Sequence, residues 1–91
     1  MAARFTLGRL VATPGALAAL VAAGEFPLTL LRRHVRGDWG EVDKEDRQAN
    51  ERALREGKRL LSAYRTALGQ RLWIITEADR SSTCILLPEE Y

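Results

Sequence analysis

Cysteine, histidine, lysine and long apolar runs are all scarce in this chain, and each scarcity removes a class of chemistry. A single cysteine, Cys84, in 91 residues excludes an internal disulfide and leaves no cysteine cluster for zinc, and a reducing cytoplasm fits. A single histidine, His34, leaves no pair to share a metal. No glycine-rich phosphate loop precedes a Lys-Ser or Lys-Thr pair, and there is no nucleophile elbow. No cofactor and no metal are therefore expected. A bilayer span needs about 20 consecutive apolar residues. The opening "MAARFTLGRLVATPGALAALVAAGEF" shares arginines, an apolar run and small residues with secretory signals, but Pro14-Gly15 splits the run. The segment is read as part of the fold, and no membrane partner is expected.

What is present describes an ordinary globular domain, with 46% hydrophobic and 29% charged residues. A chain this short buries only roughly 60 to 65% of the surface of its unfolded form, so residues 1–91 are expected to form one small domain with a thin core. The net charge of +2 falls short of the concentrated basic stripe of a nucleic-acid binder. Of the 14 basic residues only Lys44 and Lys58 are lysine. Arginine suits forked contacts to phosphate or carboxylate, although GC-rich coding with abundant alanine produces the same bias.

Local patterns give the order of elements. Residues 5–12, "FTLGRLVA", alternate well enough for a first strand. Thr13 caps a helix that Pro14 opens and Gly24 closes; nearly apolar all round, it belongs against a sheet. Pro27 begins a second helix over residues 28–36 with Leu28, Leu31 and Val35 on one face. His34 stands at the edge of that stripe. After "GDWG" a third helix runs over Lys44–Glu56, with Asp43 as its cap and Gly57 as its stop. From Lys58 the period becomes two, and "RLLSAYRT", "RLWIITEA" and "STCILLP" read as three strands joined by short links at Gly69 and at residues 79–82. The expected architecture is α+β: an N-terminal strand, two or three short helices, then a three-stranded antiparallel meander with the helices on one face. Leu72, Ile74 and Thr76 alternate with Trp73, Ile75 and Glu77, so both faces of the middle strand of the meander carry apolar residues. The face that the helices leave open is expected to meet a partner.

Two functional readings follow. In the first, the protein binds a protein partner without catalysis, through the open sheet face or the helix junction, with Asp38, Trp39, Tyr64 and Trp73 as binding residues; a homodimer is one form of this. In the second, it cleaves RNA without a metal. His34 would move the proton near neutral pH, Arg80 would grip the phosphate, and Ser81, Ser82 and Thr83 would add donors, with Asp38 and Glu77 nearby. Plainer readings stand beside these: a part-buried helix histidine, an ordinary "DRSS" turn, an inert Cys84 and a Trp39 that covers a helix junction. Nucleic-acid binding without cleavage is a third reading.

The segments "RHVRGDWG", "GKRLLSAYRT" and "LWIITEADRSSTCILLPEEY" resemble a family of small bacterial proteins carried on plasmids and other integrated elements, almost throughout from Phe5. The resemblance implies an accessory role for a mobile element, in defence or counter-defence. That family is at times labelled plasmid-related or a type I restriction subunit M, yet 91 residues cannot hold a methyltransferase fold with its cofactor site. A weaker, architectural similarity is to the barnase and toxin-endoribonuclease superfamily, and architecture alone does not carry function.

Overall fold

A computed structural model describes residues 3–91. In chain order it holds β1 (Arg9–Ala12), α1 (Pro14–Ala23), α2 (Pro27–Val35), α3 (Lys44–Glu56), β2 (Leu60–Arg65), β3 (Arg71–Thr76), β4 (Ser82–Leu86) and a short 3-10 turn, Pro88–Glu90. The class is α+β, with three helices and one four-stranded sheet in the order β1-β4-β3-β2. β2, β3 and β4 form the expected antiparallel meander. β1 joins it beside β4 but runs parallel, with Leu10 opposite Thr83 and Ala12 opposite Ile85, so the sheet is mixed.

The helix signals act as their chemistry requires. The Thr13 hydroxyl accepts from the Ala16 amide, and the Asp43 carboxylate accepts from the Asp46 amide at 2.7 Å. Gly24 and Gly57 close α1 and α3 in the left-handed conformation. Ala16 and Leu20 of α1 and Leu30 and Leu31 of α2 pack on Tyr64, Leu72, Ile74 and Ile85, all of one sheet parity. Burying each of the larger side chains is worth about 1.5–3 kcal/mol relative to exposure. No single helix among the described residues is long and apolar enough to cross a membrane, and α1 and α2 meet at a bend of 106°.

Two expectations need correction. The strand read over residues 5–12 begins only at Arg9. Gly8, at φ +66°, breaks it because a Cβ there would run into the Arg80 and Ser81 carbonyls. Residues 3–8 instead form an arm held to α2 by the Arg4 amide on the Val35 carbonyl at 2.8 Å. α3 lies at the β2 edge, where Ala53 packs on Leu60, a residue of the face that α1 and α2 cover, and it closes that edge: the Asn50 side-chain amide donates to the Leu61 carbonyl at 2.7 Å and its oxygen accepts the Leu61 amide at 3.1 Å. The loop at Gly40 closes the rest of that edge as a parallel bridge to Ala63. Finally, the sheet face away from α1 and α2 is not an open apolar surface. Ala63, Ile75 and Leu86 are buried there, and Tyr91 folds back so that its ring meets Trp73 edge-on at 5.7 Å while its hydroxyl accepts from Arg59.

The Asn50 clamp has a measurable consequence. Asn50→Ala removes two bonds and strands a backbone donor and acceptor, so urea unfolding should show a loss of about 2–4 kcal/mol. Asn50→Asp keeps the acceptor but sets a carboxylate against the Leu61 carbonyl. It should be at least as damaging at pH 7 and should partly recover as the pH falls through the carboxyl range.

Candidate functional site

His34 lies on α2 where its side chain points straight into the sheet, not at the edge of the apolar stripe. It is fully buried. Nδ1 stands 2.5 Å from the Ser62 hydroxyl and Nε2 2.9 Å from the Thr76 hydroxyl; Thr76 is 2.7 Å from Thr83, and Thr83 donates to the Leu7 carbonyl at 2.7 Å. The last link sets the direction of the rest. A carbonyl only accepts, so the Thr83 proton goes to Leu7, the Thr76 proton to Thr83, and Thr76 must accept from Nε2–H of His34. Nδ1 is then the acceptor for Ser62. A neutral ring protonated on Nε2 satisfies every member of the chain, and no buried side-chain polar atom among the described residues lacks a partner.

Burial pushes the His34 pKa down to about 4, because an imidazolium in this site would be desolvated and would disrupt the hydrogen-bond order. Phe5 packs edge-on against the ring at 5.1 Å, Trp39 stands edge-on at 5.8 Å, and Phe5 stacks on Trp39 at 6.1 Å. As folded, His34 offers no free nitrogen to a substrate.

Arg80, the expected phosphate grip, is also engaged. Its guanidinium donates to the carbonyls of Lys58 at 2.7 Å, Glu77 at 3.0 Å, Ala78 at 3.1 Å and Ala53 at 3.1 Å. It thereby ties the β3–β4 turn to the C-terminal end of α3, where a cation also favours the helix dipole. His34 and Arg80 meet through Phe5 and not across a cleft, with the Arg80 Cζ 5.8 Å from the Phe5 ring centre.

The other expected residues scatter. Thr83 is buried in the hydroxyl chain. Ser81 is exposed, and its amide donates to the Asp79 carboxylate within the turn. Glu77 pairs with Arg59 at 3.1 Å. Trp39 is buried and donates its indole N–H to Glu51. Tyr64 is buried under the Arg33 guanidinium, 4.6 Å from its ring centre, and burial raises its pKa to about 12. Asp38 pairs with Arg33 at 2.7 Å, which holds its carboxyl below the ordinary range. Cys84 is half-buried, with its pKa raised by burial. Among the described residues no group of three or more His, Cys, Asp or Glu side chains could hold a metal ion.

The open surface of the molecule is elsewhere. Among the described residues six of the eight exposed large hydrophobic side chains, Leu10, Val11, Leu17, Val21, Phe26 and Leu28, fall between residues 10 and 28; Val21 is 78% exposed, Phe26 72% and Leu10 52%. Leu10 and Leu28 line a groove between the N-terminal arm, β1 and α2. One part, of about 490 Å³, is lined by Phe5, Leu7, Leu10, Leu28, Leu31 and Val35 among others; the adjoining part, of about 160 Å³, passes Pro27 and reaches Thr83 and Ile85. Arg32 is the one charged residue in either lining.

β1 itself is an unpaired edge. The Arg9 and Thr13 amides donate to the Ser81 and Ile85 carbonyls at 3.0 Å each. Strand alternation therefore turns the N–H and C=O groups of Leu10 and Ala12 outward. Sequence reading misses this surface because Leu28 and Leu31 share the apolar face of the second helix, and only the course of β1 decides which of its atoms face out. No protein-family model, no curated protein and no solved structure matches the chain, so its functional reading stands on these residues.

Two measurements check the geometry. The unfolded chain takes up a proton on His34 near pH 6.5 and the folded chain refuses it until about pH 4. Stability is therefore complete above pH 6.5 and falls as the pH drops toward 4, by about 3 kcal/mol in all. The imidazole resonances of the folded protein should not titrate between pH 8 and 5; a midpoint near 6.5 would contradict the buried neutral ring. For Arg80, which sits at φ +61°, Arg80→Ala should cost about 2–3 kcal/mol through its lost carbonyl bonds. Arg80→Gly should cost about 1 kcal/mol less, because glycine relieves the positive φ.

Proposed function

We propose that this protein is a non-catalytic interaction protein, an accessory of a bacterial mobile element that docks on a protein partner through the apolar surface around β1 and the α1–α2 corner. The docking part of the reading is carried by exposed Leu10 and Leu28, which line an apolar groove between β1 and α2, with exposed Phe26 next in sequence to groove-lining Pro27. A thin-cored chain has every reason to bury such side chains, and apolar exposure along a groove is the mark of an interaction site. The mobile-element part rests on the resemblance of the segments around His34, Tyr64 and the final twenty residues.

Cleavage of RNA by His34 and Arg80 receives less support. A general base must reach the proton it removes, and here both ring nitrogens and the guanidinium are spent on bonds within the chain.

Phe26→Glu and Leu28→Glu change exposed side chains, so each should leave unfolding within about 0.5 kcal/mol of the parent. Each should weaken binding of a partner isolated by crosslinking by about tenfold or more, as expected where an exposed apolar anchor carries binding, while Glu89→Lys should not. Retention of the partner by both variants would defeat the reading. So would RNA cleavage in chelator that disappears in His34→Ala.

A further inference from the structure

The two edges of the sheet differ in kind. The β2 edge is closed twice, by the Gly40 bridge, in which Glu41 donates to the Ala63 carbonyl and Ala63 to that of Trp39, and by the Asn50 clamp on Leu61. Among the described residues the β1 edge has no such cover, although exposed strand edges are ordinarily blocked because they invite pairing. β1 is short and carries Arg9, but two of the usual blockers are missing. The strand reads Arg9-Leu10-Val11-Ala12, with no proline and no bulge, and Leu10 and Val11 are both exposed. Outward-facing N–H and C=O groups at Leu10 and Ala12 lie beside a groove whose walls are Leu28, Leu31 and Pro27.

We infer that β1 accepts an extended segment of a partner protein as a fifth strand, apolar at the alternate positions that enter the β1–α2 groove and acidic at the positions between. The inference rests on the docking surface proposed above and adds the chemistry of what docks there. Strand addition uses backbone groups for affinity and alternate side-chain pockets for specificity. Leu10 and Ala12 supply the backbone groups; Leu28, Leu31 and Pro27 supply the pocket. The charge of the segment follows from the rim. Arg32 lines the groove and Arg9 stands on the other face of β1. Among the described residues no carboxylate pairs with either, and no Asp or Glu lines the groove. The β1 of a second copy, Arg9-Leu10-Val11-Ala12, carries no acidic side chain to set beside Arg9. The in-between side chains of an added strand fall on the face where Arg9 stands, so acidic residues there meet it with opposite charge.

The test uses the full chain and three nonapeptides with valine or leucine at alternate positions and glutamate, serine or lysine at the rest. The glutamate peptide should bind at least about tenfold more tightly than the lysine peptide, a gap that salt reduces. Its binding should slow amide exchange at Leu10 and Ala12, and Arg9→Glu should reverse the preference. Leu10→Pro removes an outward N–H that β4 does not use, a position where an edge strand tolerates proline, and should abolish binding. Equal binding of the three peptides, or of none, overturns the acidic assignment. Unchanged exchange at Leu10 and Ala12 in the wild-type complex overturns strand addition without recourse to any variant. If Leu28→Glu then still releases the partner, the docking surface survives and only the fifth strand falls. Concentration-dependent dimers in sedimentation that Leu10→Pro dissolves would give the edge to a second copy and end the proposal.

Discussion

One buried imidazole governs the arrangement. The chain from Ser62 through His34, Thr76 and Thr83 to the Leu7 carbonyl touches β2, α2, β3, β4 and the arm before β1, so five separate segments share one run of hydrogen bonds. Because it ends on a carbonyl it has a single direction, and the tautomer of His34 is a consequence of position and not a free choice. A polar group buried without partners costs about 1–3 kcal/mol, and here each donor finds one acceptor. Such a spine adds less stability than well-packed apolar side chains would, but it penalises wrong arrangements. A slip of any one strand by a residue would leave a hydroxyl without its partner and turn that strand inside out.

Phe5 is the second consequence of that spine. With His34 fixed, the ring of Phe5 is held between the imidazole, the Trp39 indole and the Arg80 guanidinium. The arm cannot continue as a strand across this packing, and it crosses to β1 only where Gly8 passes close under the Arg80 and Ser81 carbonyls. The two residues that sequence alone marks for chemistry are thus the ones most heavily used for architecture. A side chain rich in hydrogen-bonding groups is valuable in a small core for the same reason that it is valuable in an active site.

Helix ends and strand segments were legible because their signals are local. Thr13-Pro14 with Gly24, and Asp43 with Gly57, bound α1 and α3 with no knowledge of the rest of the chain, and the alternation in "RLWIITEA" marks β3 by itself. The parallel course of β1 was not legible, since it depends on the arm being turned by contacts to α2 and to residues 80–81, far away in sequence. His34 was misplaced by about one helical step. Leu28, Leu31 and Val35 looked like the buried stripe of α2, whereas Leu30, Leu31 and His34 form it and Leu28 is left to line the groove. Asn50 gave no signal at all, because an asparagine within a charged helix reads as solvent-facing until a strand edge is set against it. Nor could alternation reveal that Tyr91 would fold back against Trp73 on the face that the helices leave uncovered.

The open edge depends on the buried spine through one bond. The Thr83 hydroxyl on the Leu7 carbonyl sets where the arm meets β4 immediately before β1 begins, and so sets the parallel register that places Leu10 opposite Thr83 and Ala12 opposite Ile85. In that register the Leu10 side chain lies on the helix side, beside the groove, while its backbone groups face out. Moving β1 by one residue would send Arg9 and Val11 to the helix side, leave a guanidinium over Leu31 and Ile85, and turn a different pair of amides to the edge. Whatever meets this edge is therefore reading a surface whose polarity is decided in the core. That is why a histidine which touches no solvent belongs in any account of the exposed edge of this sheet.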